Sequence, residues 1–175
     1  MAEAILAGGC FWCTEAVFRS LAGVSKVESG YIGGHTEQPS YKQVCSGTTG
    51  HAEAIKVTYD PALISYADLL DVHFATHDPT QLNRQGGDIG TQYRGALFPL
   101  DDEQRAEAEA GIARAQTERS ERVVTTIEGP ATWWPAEDYH QEYWEGEGQR
   151  NPYCLAVIPP KIAKLQKGFA EKLKG

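Results

Sequence analysis

The chain has 175 residues, 41% of them apolar and 23% charged, the proportions of an ordinary globular domain with enough bulk to bury a core. Its formal net charge of −8 repels phosphate backbones and argues against a nucleic-acid partner. No window approaches the ~20 apolar residues of a membrane span, and the opening stretch Met1–Ala7 is too short and too acidic for a signal peptide. A cytoplasmic location is therefore expected. In that reducing setting the four cysteines read as buried hydrophobes, metal ligands or reactive thiols rather than as structural bridges.

No repeat or linker interrupts the chain, so residues 1–175 are read as one domain. Residues 3–7 read as a short strand broken by Gly8-Gly9. Phe11 to Leu21 carries Phe11, Val17, Phe18 and Leu21 at roughly helical spacing. A strand is expected near Val24–Tyr31, then a turn-rich stretch over 35–51. Ala54–Tyr59 alternates as a strand. Ser65 with Asp68 forms a near capping box ahead of a helix through Leu69, Leu70, Val72, His73 and Phe74. Residues 77–92 form a long loop, a length that is often functional.

Tyr93–Phe98 reads as a strand, Asp101–Glu118 as an Ala-rich helix and Val123–Ile127 as another strand. From Gly129 the chain is irregular and aromatic-rich. A final helix is expected after Pro160, with Ile162, Leu165, Phe169 and Leu173 on one face. The expected class is α/β or α+β, with a mixed sheet, packed helices and a long irregular C-terminal segment.

Gly8-Gly9-Cys10-Phe11-Trp12-Cys13 carries the most chemistry. A strand, two glycines and a helical pattern place Cys10 at a helix N-terminus, where free N–H groups and the helix dipole favour a thiolate. The alternative is a small buried turn residue. Cys10 and Cys13 also have the spacing of a dithiol redox pair, or of half a zinc site. A zinc site would need a second matched pair, and Cys45 and Cys154 stand isolated. Cys45 reads as buried structure.

Several further stretches fall in a recognisable order. They are Gly9-Cys10-Phe11-Trp12-Cys13 with Glu15, Gly30-Tyr31-Ile32-Gly33-Gly34, and Pro39-Ser40-Tyr41 with Val44-Cys45-Ser46-Gly47. Thr49-Gly50-His51-Ala52-Glu53, Asp78-Pro79-Thr80 and Asp88-Ile89-Gly90-Thr91-Gln92-Tyr93-Arg94 follow. Ala136-Glu137-Asp138-Tyr139-His140-Gln141 and Asn151-Pro152-Tyr153-Cys154 complete the set. Together they resemble the type A peptide methionine sulfoxide reductases.

The resemblance implies a two-layer α/β sandwich with a ferredoxin-like core and no metal or organic cofactor. It implies that Cys10 attacks the sulfur of methionine-S-sulfoxide, yielding methionine and a Cys10 sulfenic acid. A resolving cysteine then forms a disulfide that thioredoxin reduces. By the same resemblance Glu53, Tyr41 and Tyr93 surround the sulfoxide oxygen, Phe11 and Trp12 hold the substrate methyl, and Asp88 orients substrate or water. The chemistry suits these residue types: charge develops on the oxygen and needs a donor, and a buried carboxyl stays protonated to provide one. Alternation places Glu53 on the face of Ile55 and Val57. His140 reads as a structural histidine bordering the site.

The Gly-rich tail that many such enzymes carry is missing, which leaves Cys154 and Cys13 as candidates to resolve Cys10. Cys154 is preferred, because a formed helix after Cys10 turns Cys13 toward the core. Direct reduction of the sulfenic acid by an external thiol is a third route. A general disulfide oxidoreductase and a redox-sensing peptide-binding module are the competing functions. Methionine sulfoxide, in peptides or free, and thioredoxin are the expected partners of a monomer.

Overall fold

The computed structural model describes residues 1–174; Gly175 lies outside them. In chain order the elements are β1 (Ala2–Ala7), α1 (Phe11–Arg19), β2 (Val24–Ile32), α2 (Tyr41–Cys45), β3 (Ala52–Tyr59) and α3 (Tyr66–Thr76). Then come β4 (Arg84–Gln85), β5 (Asp88–Ile89), β6 (Ala96–Phe98), α4 (Asp102–Thr117), β7 (Thr126–Ile127), β8 (Trp134–Pro135) and α5 (Pro152–Gly168).

The main sheet is mixed, in the order β7-β6-β1-β3-β2-β8. Only β6 and β7 pair in parallel; the other neighbours are antiparallel. The run β1-α1-β2-β3-α3-β6 with strand order β6-β1-β3-β2 is the ferredoxin-like arrangement.

Period-2 alternation assigns the two faces of the sheet. Ala4 and Leu6 of β1, with Ile55 and Val57 of β3, pack under Phe11, Val17 and Phe18 of α1 and Leu69, Leu70 and Val72 of α3. Ile5 and Ala7 point the other way, with Ala52, Ala54, Ala96 and Phe98, under Trp133. Glu53 has the parity of Ile55 and Val57, so it enters the helix layer as expected.

Three expectations change. The strand expected over Tyr93–Phe98 is only β6, and Tyr93 sits on a 3-10 turn, Thr91–Tyr93. The Arg94 guanidinium is held by Glu128 at 2.8 and 2.9 Å and by the carbonyls of Gly50 and Thr91, which fixes a turn rather than an extended run. The strand expected from Val123 narrows to β7, because the Val123 N–H goes to the Gln116 side chain and the Val124 N–H to the Pro79 carbonyl.

The last helix begins at Pro152, before Pro159 and Pro160 rather than after them, and ends before Phe169 and Leu173. Pro152 suits the first helical position, and Asn151 caps the N–H groups of Tyr153 and Cys154 at 2.9 and 3.4 Å. Pro159 and Pro160 lie on the exposed side, where carbonyls left without donors meet water, while Cys154, Ile158 and Leu165 are buried on the inner side. The irregular segment therefore closes at Asn151.

Two short elements escaped the sequence reading. Ser40 and Gln43 make a capping box that starts α2 inside the turn-rich stretch. Gly86-Gly87 closes a hairpin between β4 and β5 inside the long loop.

Candidate active site

The end of β1 is pinned before the chain turns into α1. His73 of α3, fully buried and held neutral by burial with its pKa lowered to about 4, bonds the Ala7 carbonyl through Nε2 at 2.8 Å. Gly9 then takes φ +90°, a turn that side-chain-bearing residues rarely make. Cys10 follows as the N-cap of α1, 7% exposed.

The first turn of α1 lies over Glu53. The Phe11 N–H donates to Glu53 Oε1 at 3.1 Å, whereas Oε2 is buried with no partner among the described residues. Burial dominates the Glu53 carboxyl and pushes its pKa up to about 8, only partly offset by the Phe11 N–H. At neutral pH it is therefore a protonated acid with one unoccupied oxygen.

Cys10 behaves differently from the expectation of a thiolate favoured by the helix end. Burial raises its pKa well above the ordinary thiol range, and the hydrogen bond to Cys13 and the charge of Glu53 add to this; the Trp12 N–H opposes them only weakly. Cys13 moves down, chiefly because Cys10 donates to it, with Lys161 and the Tyr153 hydroxyl assisting against its burial. The Cys10 thiol thus donates a hydrogen bond to Cys13, and of the two sulfurs Cys13 holds a negative charge the more readily.

An aromatic wall flanks Cys10. Trp12 stacks on Tyr143 with ring centroids 4.0 Å apart and donates through Nε1 to His140 Nδ1 at 3.0 Å. Tyr41 stacks on Phe11 at 6.1 Å and leans on His140 at 4.3 Å. The Glu137 carboxylate takes the Tyr41 N–H and the Tyr31 hydroxyl, each at 2.9 Å, and so fixes the start of α2 against β2. Tyr41 and Tyr93 have raised pKa values, from burial first and from the charge of Glu53 next, so both hydroxyls stay protonated.

Asp88, on β5, accepts the Tyr153 hydroxyl in a short hydrogen bond. Tyr153 Oη also lies 4.0 Å from Cys13 Sγ. Cys154 is 0% exposed and shares one apolar cluster with Cys10, Cys13, Ala16 and Ile158. Burial, with the nearby Cys13 charge, raises Cys154 to about 11. Cys45 is exposed at the end of α2, contrary to its expected burial, because Val44 is the residue of that turn that faces the core. Among the described residues no group of three or more His, Cys, Asp or Glu side chains is placed to hold a metal ion.

Such a site offers a nucleophilic sulfur, a neutral acid beside it, two hydroxyl donors, an apolar wall and a further buried thiol. The family model described as peptide methionine sulfoxide reductase matches residues 2–173. The chain belongs to the peptide methionine sulfoxide reductase family.

The peptide methionine sulfoxide reductase MsrA of Erwinia tasmaniensis is 70% identical over 167 residues, covering 95% of this chain and 94% of the relative. The MsrA of Deinococcus radiodurans is 57% identical, covering 98% and 84%. Among solved structures, reduced Mxr1 from Saccharomyces cerevisiae matches with a TM-score of 0.77 at 35% identity, over 86% of each chain. As a peptide methionine sulfoxide reductase the chain is a thiol-dependent oxidoreductase.

Tyr153, Glu137 and Lys161 contribute to this cluster without having been singled out in the sequence, and His140, expected to border it as a structural histidine, is bonded to Trp12. Tyr153, Glu137 and His140 stand in quoted motifs, but their contacts span 65, 96 and 128 positions of chain. Lys161 gave no local signal at all.

Proposed function

We propose that the chain reduces methionine-S-sulfoxide, in peptides or free, with Cys10 as the nucleophile. The observation that carries the reading is the buried, unpartnered Oε2 of a protonated Glu53 beneath the turn that presents Cys10. Thiol–disulfide exchange develops no charge on an oxygen for such an acid to meet. A sulfoxide oxygen that gains charge as a thiolate attacks the adjacent sulfur needs one.

The substrate methyl packs on Phe11 and Trp12, an apolar setting that suits a thioether product. The sulfoxide oxygen meets Glu53, Tyr41 and Tyr93, and Asp88 with Tyr153 borders the opposite side. The Cys10 thiolate attacks the sulfur and forms an S–S bond, while Glu53 gives its proton to the oxygen. The resulting hydroxyl moves to the Cys10 sulfur as its bond to the substrate sulfur breaks, and the S–S bond cleaves with its electron pair returning to the substrate sulfur. Cys10 is left as a sulfenic acid, oxidised by two electrons, and the substrate leaves as methionine. The Cys154 thiol then displaces water from the sulfenic acid, and a Cys10–Cys154 disulfide forms. Thioredoxin, supplying two thiols, reduces that disulfide. The reading places a monomer in the cytoplasm. No helix among the described residues is long and apolar enough to cross a membrane.

Incubation with epimerically pure methionine sulfoxide peptides and dithiothreitol tests the reaction. Turnover of the S epimer alone is expected; no turnover, or equal turnover of the R epimer, contradicts the reading. Tyr41→Phe and Tyr93→Phe each lower kcat/KM roughly tenfold, and together by about 10²-fold or more, the scale of lost oxyanion donors.

Cys154→Ser abolishes thioredoxin-driven turnover but releases one methionine per chain in a single burst and still turns over with dithiothreitol. If Cys13→Ser gives that pattern instead, Cys13 is the resolving thiol.

A further inference from the structure

Helix α5 brings more to the thiols than Cys154. Lys161 lies seven residues on, two turns along the same face. It lines a cavity of about 110 Å³ together with Gly8, Cys10, Cys13, Asp88 and Tyr153. No other Lys or Arg lines that cavity among the described residues. The ammonium is half-buried and anchored, since Nζ donates to the Thr76 carbonyl at the end of α3 at 2.7 Å. No carboxylate lies within 4.0 Å of it among the described residues, so its charge is not already spent in an ion pair.

We propose that Lys161 is a positioning residue of this site, the cation that holds the negative charge shared by Cys10 and Cys13 once the pair has lost one proton. The proposal rests on Cys10 being the nucleophile. Loss of one proton to solvent leaves one charge on two sulfurs in an apolar pocket, and such a charge is costly unless a cation faces it.

The other groups around the pair do not supply one. Glu53 beneath α1 and Asp88 on β5 are acidic. Tyr153 is a neutral donor committed to Asp88, and Cys154 is held as a thiol. His73 of α3 and His77 just past its end, behind Gly8, are kept neutral by burial. Lys164 lines the neighbouring cleft with Arg119, not the thiol cavity. The mutual pull is consistent from both partners: Lys161 lowers Cys13, and the charges of Cys13 and Cys10 support the Lys161 ammonium against its burial.

A purely structural Lys161 would serve only as a donor to Thr76. Lys161→Gln keeps a donor and loses the charge, and Lys161→Arg keeps both. Cys10 alkylation by iodoacetamide is followed from pH 6 to pH 10 by site-resolved mass spectrometry. In Lys161→Gln the rate–pH profile moves up by about one pH unit, so the rate at pH 7 falls roughly tenfold. Lys161→Arg restores the profile. A Lys161→Gln profile that coincides with wild type overturns the proposal, as does a lower rate whose loss Lys161→Arg does not restore. A Cys10→Ser variant that still turns over overturns the underlying reading instead, so the two failures are separable.

Discussion

Cys10→Ser lowers methionine sulfoxide turnover by at least roughly 10⁴-fold, even with dithiothreitol in excess, because no other group takes over as nucleophile. Cys13 is three residues away but fixed in the first turn of α1, where its N–H is bonded to the Cys10 carbonyl at 3.1 Å. Its sulfur lies 4.0 Å from the Tyr153 hydroxyl and lines the cavity that also holds Lys161, whereas Glu53 does not line that cavity. Serine keeps the volume and the helix N-cap, so the variant folds and binds. The loss falls on kcat, with KM little changed. Cys13→Ser retains turnover with dithiothreitol and shifts its pH dependence, since the thiol that accepts the Cys10 hydrogen bond is gone.

Glu53→Gln lowers kcat about 10²- to 10³-fold, the scale of a removed oxyanion donor. Glutamine still accepts the Phe11 N–H and still donates a hydrogen bond, but it has no acidic proton to give. The wild-type first half-reaction loses rate as pH rises through about 8, where Glu53 gives up its proton. The Glu53→Gln rate does not show this fall.

Stability changes in the opposite direction to activity. The folded pKa of Glu53 lies above that of an unfolded carboxyl. Its favourable contribution is therefore complete below the unfolded value and is lost as pH rises through the folded one. Replacement by glutamine removes that penalty, so the variant melts at a higher temperature than wild type at pH 9, and the gap narrows as pH falls. A thermal shift series across pH 5 to 9 reads this directly.

Much of the site is visible in the sequence, for local reasons. A strand, two glycines and a helical pattern fix the position of Cys10. Period-2 alternation is enough to send Glu53 into the helix layer beside Ile55 and Val57. Ser65 and Asp68 start α3 with the capping box their spacing announces.

The failures are equally physical. The capping box of Ser40 and Gln43 starts a helix of five residues, too short to show a period. Pro159 and Pro160 read as a helix stop, yet the buried face of α5 carries the helix past them. The thiolate expected from the helix end overlooked burial, which dominates Cys10. Tyr153 and Asp88, or Trp12 and His140, meet only through the fold, and no short window of sequence contains such pairs.

The central claim is that oxygen passes from the substrate to Cys10. The most direct measurement adds one equivalent of methionine-S-sulfoxide peptide to the Cys154→Ser variant without reductant, traps sulfenic acid with dimedone and maps the adduct by mass spectrometry. One dimedone adduct on Cys10 is expected for each methionine released. An adduct on Cys13 or Cys45 with Cys10 unmodified, or methionine formed with no trapped sulfur and no Cys10–Cys13 disulfide, contradicts it.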